Sequence, residues 1–258
     1  MADMDALMER LDRLMDRAGV PLFGSGPSGA LDREPEGLRP KDFLPDARGL
    51  FCFGMPLPEG IYRCPDRSVE MYWRALNMHF RTMDELSLHT AMMLEASGFT
   101  AAPVFACFPM EVRNKGELRG YVSLVRMAEA CGLGKIGGNG LLFNARYGPR
   151  LILGGIVTEA ALPQLSRPDA DGRGCPEGCS VCREKCPAHA IGPQGKVDMA
   201  ACIRHSTYAP IFSAVLGTGR VKTGEIGRLN LTTSVDEQNM NTCMACVSEC
   251  PYLKGAAD

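Results

Sequence analysis

The sequence predicts an α+β fold, with a mixed helix-and-strand domain over residues 1–162 and a small cysteine-rich domain over 163–258. Three observations carry this. Short apolar runs alternate with helical periodicities through the first two thirds of the chain. Composition then shifts at Pro163–Gly174, a stretch dense in Pro, Asp and Gly that reads as a linker. Beyond it apolar periodicity fades, and eight of the twelve cysteines fall between Cys175 and Cys250.

The elements follow in order. Met4, Leu7, Met8, Leu11, Leu14 and Met15 recur at three- and four-residue intervals, which predicts an amphipathic helix ending at Gly19. Pro21 to Pro45 reads as a Gly- and Pro-rich loop, and Gly49–Met55 as a buried strand. Ser68 opens a long helical stretch to Gly98, with a capping-box pattern at Thr82–Glu85 that would split it. Pro103–Phe108 reads as a second strand, Tyr121–Cys131 as a helix and Arg150–Thr158 as a third strand. The methionines dense between Met71 and Met93 sit at helical spacing and are expected to fill core gaps.

Charge and hydropathy exclude several classes. The net charge of −2 offers no clustered positive field for sequence-independent nucleic-acid binding. No apolar run reaches the length of a membrane span, and the acidic start Met1–Asp5 lacks the pattern of a secretory signal. A cytoplasmic protein with no membrane partner is expected. In that setting clustered cysteines point to metal binding before disulfides.

The cysteine pattern is specific. Cys175-x3-Cys179-x2-Cys182-x3-Cys186-Pro187 is followed by a lone Cys202 and by Cys243-x2-Cys246-x3-Cys250-Pro251. In ferredoxins carrying two clusters, three close thiolates wrap one cluster and the cysteine before proline crosses to the other. That rule gives two complete sets: Cys175, Cys179, Cys182 and Cys250 for one [4Fe–4S] cluster, and Cys186, Cys202, Cys243 and Cys246 for the other. A pair of four-thiolate zinc sites is the alternative, but zinc has no use for the repeated Cys-Pro ending or the crossing. The Cys175–Cys179 gap is one residue longer than the ferredoxin spacing, and Pro176 and Gly178 can absorb it in a turn. Cys52, Cys64, Cys107 and Cys131 fall outside the pattern.

Two glycine-rich segments mimic phosphate loops. Gly132-Leu-Gly-Lys-Ile-Gly137 matches the dinucleotide fingerprint, but a helix precedes it where a strand is needed, so Gly132 or Gly134 reads as a helix C-cap. Gly217–Gly224 lacks the Gly-Lys-Ser/Thr ending and reads as a loop.

The stretch Cys131-Gly-Leu-Gly-Lys-Ile-Gly-Gly-Asn-Gly-Leu-Leu-Phe-Asn-Ala-Arg-Tyr-Gly-Pro-Arg150, with Gly-x-Ile-Val-Thr158 and the cysteines beyond, resembles the epoxyqueuosine reductase and reductive dehalogenase superfamily. The resemblance covers about Leu44 to Leu253. It implies a nitroreductase-like α/β domain that binds cobalamin, joined to a ferredoxin-like double [4Fe–4S] module. It also implies that Gly137, Gly138, Asn139, Gly140, Asn144, Tyr147 and Arg150, which sit in the motif loop, line the corrinoid. Departures are visible. The acidic proton donor of epoxyqueuosine reductases has no counterpart in Leu118–Leu124, where Tyr121 is the candidate by position. The helical-repeat region that helps hold tRNA and the twin-arginine leader of respiratory dehalogenases have no counterpart either, so a short, soluble, divergent relative is expected. His79, His89, His189 and His205 show no metal-ligand spacing, and His189 is expected to pack near a cluster.

The leading functional expectation is an oxidoreductase. Single electrons from an external ferredoxin- or flavodoxin-type donor pass through two clusters to a corrinoid that reduces a small molecule. Flavin in place of cobalamin ranks lower. The competing readings are a ferredoxin-type electron carrier, and a corrinoid carrier or reductase serving another enzyme.

Overall fold

The computed structural model describes residues 4–64, 66–107, 111–113, 117–167, 173–208 and 240–255. In chain order its elements are α1 (Met4–Arg17), β1 (Leu22–Pro27), α2 (Pro40–Phe43), β2 (Gly49–Pro56), α3 (Ser68–Glu95), β3 (Ala101–Val104), β4 (Glu111–Arg113), β5 (Glu117–Arg119), α4 (Leu124–Ala130), β6 (Lys135–Ile136), β7 (Leu142–Phe143), β8 (Leu151–Thr158), β9 (Leu165–Arg167), α5 (Val181–Glu184), α6 (Met199–Ser206), β10 (Thr207–Tyr208), β11 (Met240–Asn241) and α7 (Ala245–Ser248). No helix among the described residues is long and apolar enough to cross a membrane.

The main sheet has the order β3-β8-β2-β1-β9, and every neighbouring pair is antiparallel. β2 and β8 pair over their full lengths, Gly49 opposite Thr158 through Pro56 opposite Leu151. Both faces of β2 are covered, which is why its sequence reads as a continuous apolar run rather than an alternation. Phe51 and Phe53 point to a core shared with Leu7, Leu11 and Met15 of α1 and Met83, Leu86 and Leu94 of α3. Leu50 and Cys52 point the other way, to Met127, Ala128 and Cys131 of α4 and its C-cap. A fully buried side chain of this size contributes about 1.5–3 kcal/mol, so these two layers hold the sheet domain together.

α1 ends as its pattern predicts, with Gly19 in the left-handed region at φ 66°. α3 runs unbroken for 28 residues, and the Thr82 pattern does not split it. Thr82 Oγ1 donates back to Met78 O at 2.9 Å instead of capping. The methionine expectation holds for buried Met83 but not for Met71, Met78 and Met92, which face outward, Met78 at 58% exposure.

Two expected loops contain strands. The stretch from Pro21 to Pro45 includes β1, whose glycines hide its strand character. The expected linker from Pro163 includes β9, which pairs with β1 through Phe23–Arg167 to Ser25–Leu165 and so extends the sheet beyond residue 162. α4 is shorter than expected and is capped by Ser123, whose Oγ accepts from Arg126 N at 3.4 Å. Gly132, at φ 77°, ends it, with Leu133 N donating to Ala128 O. The short pair β6–β7 follows, not a helix, so the fingerprint match has no dinucleotide geometry. Gly217–Gly224 lies outside the described residues.

Candidate functional site: two cysteine quartets and a cavity

The two Cys-Pro runs fold into matching pieces. α5 carries Cys182 and leads to Cys186; α7 carries Cys246 and leads to Cys250, and the two short helices pack on each other. In each run the second cysteine lies just past the helix C-cap, Cys186 after Lys185 and Cys250 after Glu249, where the chain has left the helix and its thiol joins the neighbouring group. The turn at 176–179 closes with Cys179 N donating to Pro176 O at 3.1 Å, and Gly178 takes φ 77°, which accommodates the extra residue after Cys175.

The eight thiols separate into two groups of four. Cys175, Cys179, Cys182 and Cys250 line one small cavity, together with Gly138, Asn139 and Phe143 from the sheet domain. Cys186, Cys202, Cys243 and Cys246 line a second, larger cavity of about 530 Å³. Electrostatics repeat the division. Burial raises the Cys250 thiol pKa, and Cys175, Cys179 and Cys182 raise it further. Burial likewise raises Cys202, with Cys243 and Cys186 adding to it. Cys246 is pushed up to about 12 by burial, then by Cys202 and Cys243, with Cys182 and Cys186 contributing less. Burial and neighbouring thiols disfavour the thiolate forms of Cys182, Cys202, Cys246 and Cys250, so a multiply charged cation that bound them as thiolates would couple binding to proton release. Among the described residues no three His, Cys, Asp or Glu side chains converge closely enough to hold a single metal ion. Ala190 N donates to Cys186 Sγ at 3.3 Å.

The larger cavity lies between the second quartet and the sheet domain. Its far wall is the stripe Tyr72, Leu76 and Phe80 of α3, with Leu57 and Tyr62 beside it. The Tyr62 and Tyr72 rings meet at 5.8 Å. Burial raises both phenol pKa values well above the ordinary range; for Tyr62 the Arg150 cation works against this and Cys246 adds to it. For Tyr72 the neighbouring Tyr62 and then Cys246, Cys243 and Cys202 add to the burial effect. Sequence reasoning missed this wall. The signal was present in the i, i+4, i+8 spacing of Tyr72, Leu76 and Phe80, but nothing in the sequence says what that stripe faces.

The motif-loop residues divide. Asn139, Gly140 and Arg150 do line the larger cavity. Asn139 Nδ2 also donates to Cys246 O at 3.2 Å, tying the loop to the second quartet. Arg150 acts as a clamp, donating to Leu57 O and Leu253 O, each at 2.6 Å. Gly137 and Gly138 sit against the first quartet instead, their missing Cβ positions 3.2 Å from Cys175 Sγ and 3.4 Å from Cys182 Sγ. Asn144 lines neither cavity: Nδ2 donates to Leu133 O at 2.8 Å, while Oδ1 accepts from Arg146 N and Tyr147 N. It holds the turn, as a buried amide with its polar atoms engaged. Tyr147 packs on the core beside α4, with Arg146 over its ring at 5.3 Å.

Tyr121 is placed away from the cavity. It is 43% exposed and stacks on Phe43 with ring centroids 6.0 Å apart. The position that looked equivalent in sequence lies three residues before α4, and it is Leu124 and Val125 of that helix, not Tyr121, that line the larger cavity. His189 is exposed, with φ 48°, whereas His205 lines the larger cavity, which its spacing did not predict. Of the remaining cysteines, Cys52 and Cys131 are in the core, Cys64 bonds Gly60 O, and Cys107 lies on the wall of the larger cavity.

The class defined by this arrangement is a mixed helix–sheet protein with eight cysteines in two crossed quartets, one of them opening on a cavity. No protein-family model matches the chain. Epoxyqueuosine reductase of Synechocystis sp. is 42% identical over 80 residues, which are 31% of this chain and 26% of that protein. The solved epoxyqueuosine reductase of Streptococcus thermophilus matches the fold with a TM-score of 0.59 at 16% identity, over 96% of this chain and 66% of that one. A reductive dehalogenase whose structure is described as suggesting a mechanism for B12-dependent dehalogenation matches with a TM-score of 0.50 at 15% identity, over 75% of this chain and 28% of that one. The chain is thus similar over part of its length to epoxyqueuosine reductases, and it shares the fold of solved epoxyqueuosine reductase and reductive dehalogenase structures. Its matched parts span about a quarter of the curated relative and about two thirds of the solved reductase.

Proposed function

We propose that the protein is an iron–sulfur oxidoreductase in which Cys175, Cys179, Cys182 and Cys250 hold one [4Fe–4S] cluster and Cys186, Cys202, Cys243 and Cys246 hold a second. The observation that carries this reading is the crossed division of the thiols, Cys250 with the first run and Cys186 with the second. The first quartet borders a smaller hollow through Cys179 and Cys182, and the second opens on the larger cavity. Electrons from an external low-potential donor would enter at the first and leave at the second. The cavity volume falls within the range of about 300–1,000 Å³ common for small-molecule sites. Its aromatic and aliphatic wall suits the flat apolar face of a corrinoid, with Asn139 and Arg150 as polar contacts at the edge. A bound corrinoid supplies low-potential cobalt chemistry on a small-molecule substrate. Tyr62 and Tyr72 line the cavity and are the candidate donors of the proton that a two-electron reduction consumes.

Anaerobic reconstitution should give about eight iron atoms and eight acid-labile sulfides per chain, and the reconstituted protein should retain hydroxocobalamin through gel filtration. Stoichiometric zinc without sulfide overturns the cluster assignment. Full clusters with cobalamin and flavin both eluting separately overturn the corrinoid reading and leave an electron carrier.

A further inference from the structure

The hollow beside the first quartet has a volume of about 270 Å³. Cys179 and Cys182 line it, with Ile136 from the sheet domain and Arg183 and Pro193 from the cysteine-bearing segment. Among the described residues no Asp or Glu lines it. Lys135 precedes Ile136 on β6, and its Cβ comes within 3.3 Å of the Cβ position that Gly174 lacks, one residue before Cys175. Lys196 follows the Pro193–Gly195 turn and is fixed there by its backbone, its N–H donating to Pro193 O at 3.2 Å and its carbonyl accepting from Gly192 N at 2.7 Å. Lys135, Arg183 and Lys196 are all exposed. Among the described residues none of the three side chains meets a carboxylate or another partner. Glu184 is engaged by the Ser180 hydroxyl, and Glu177 is the other carboxylate of this segment. Cations thus outnumber available carboxylates around two cluster thiols, in a chain whose net charge is −2. Three cations are few for tracking a phosphate backbone, and no aromatic ring lines the hollow to stack a base. They suit a protein partner with an acidic patch.

We propose that the rim formed by Lys135, Arg183 and Lys196 is the docking surface of an acidic one-electron carrier protein, which reduces the cluster held by Cys175, Cys179, Cys182 and Cys250 across the hollow. The proposal rests on the two-cluster reading. One electron leaves the reduced carrier and enters the oxidised cluster; no bond forms or breaks, and the step needs no proton. Exposed charges of this kind act chiefly on encounter. Surfaces of opposite sign raise association rates by about 10–10³-fold, and salt removes the advantage.

The test is stopped-flow reduction of the full chain, reconstituted anaerobically, by an acidic flavodoxin in its hydroquinone form. Arg183→Glu and Lys196→Glu should each lower the second-order rate constant about tenfold at low salt. The measurement is made at about 10 mM ionic strength, where the screening length is about 30 Å, and the difference should vanish near about 1 M, where it is about 3 Å. Reduced methyl viologen, a small cation, should reduce both variants at least as fast as the wild type, which separates lost docking from a damaged cluster. Arg13→Glu makes the same charge change on α1 and should leave the flavodoxin rate within about twofold of wild type. Wild-type flavodoxin rates in both rim variants overturn the proposal, as does an equal loss with viologen or in Arg13→Glu. Unchanged flavodoxin rates with an RNA stem loop retained by the wild type and released by Arg183→Glu overturn it in favour of a nucleic acid. Failure of the two-cluster reading is distinguishable, because the wild type would then lack iron and sulfide, and neither reductant would find a cluster to reduce.

Discussion

Arg150 was expected to line a cofactor, and the structure gives it a second task that can be measured by itself. Its guanidinium donates through Nε to Leu253 O and through Nη1 to Leu57 O, each at 2.6 Å. Leu57 follows β2, and Leu253 lies three residues beyond Cys250, so this one side chain fastens the last cysteine's segment to the sheet domain. Hydrogen bonds to a charged group contribute about 1.5–3 kcal/mol each. The site is half-buried, which favours the lower end, about 3 kcal/mol for the pair. At about 1.4 kcal/mol per decade, Arg150→Ala should raise the undocked fraction of the tail about 100-fold. Hydrogen exchange reads this at Leu253 N and Gly255 N, which donate to Cys250 O and Tyr252 O in a tail whose short turns docking is expected to hold. Both amides should exchange about 100-fold faster in the variant, with the amides of β2 and β8 unchanged. Arg150→Lys should recover little, since one ammonium does not reproduce a planar fork reaching two carbonyls in different directions. Exchange within threefold of wild type at Leu253 and Gly255 would refute the clamp.

Four further outcomes follow from the same geometry. Cys182→Ser and Cys246→Ser should each damage one cluster more than the other, read as separate losses in the resonance spectrum, whereas Cys52→Ala or Cys64→Ala should leave iron content unchanged. Asn144→Ala strips a buried turn of three hydrogen bonds and should lower stability by about 2–4 kcal/mol, measured by chemical denaturation; a loss under 1 kcal/mol contradicts the turn-holding role. Burial raises the Cys131 thiol to about 12, so its contribution is complete below its unfolded pKa of about 8.5 and is lost as pH rises toward 12. Stability should therefore fall over that window with a slope of up to about 1.4 kcal/mol per pH unit from this group, and Cys131→Ala should flatten it; an unchanged slope refutes the assignment. Tyr121→Phe should leave cluster content and cobalamin retention at wild-type levels, because the ring lies away from the cavity, and a loss of retention contradicts that placement.

Much of the local structure was legible in the sequence because it is set by short-range physics. The period of Leu7, Leu11 and Met15 gives α1, the continuous apolar run of β2 and β8 gives two-sided burial, and glycines end α1 and α4 through their dihedral freedom. The crossed grouping of the cysteines was legible through the ferredoxin spacing rule, which sends the cysteine before proline to the other group, and the cavities divide the thiols in that way.

Pairing and orientation had to wait for the tertiary structure. β1 and β9 are weak strands by composition; β1 exists because it pairs with β2 on one side and with β9 on the other, and β9 because it pairs with β1. The stripe Tyr72, Leu76 and Phe80 faces the second quartet because the chain returns more than a hundred residues later to meet it, and Tyr121 turns away from that place although its sequence position suggested otherwise. The motif loop shows the division most clearly. Its glycines announced a close approach, and the sequence by itself determined that much, since the absence of a Cβ is a local fact. What approaches them, thiol sulfur at Gly137 and Gly138 and a cavity at Gly140, is a long-range contact between segments that no local pattern encodes.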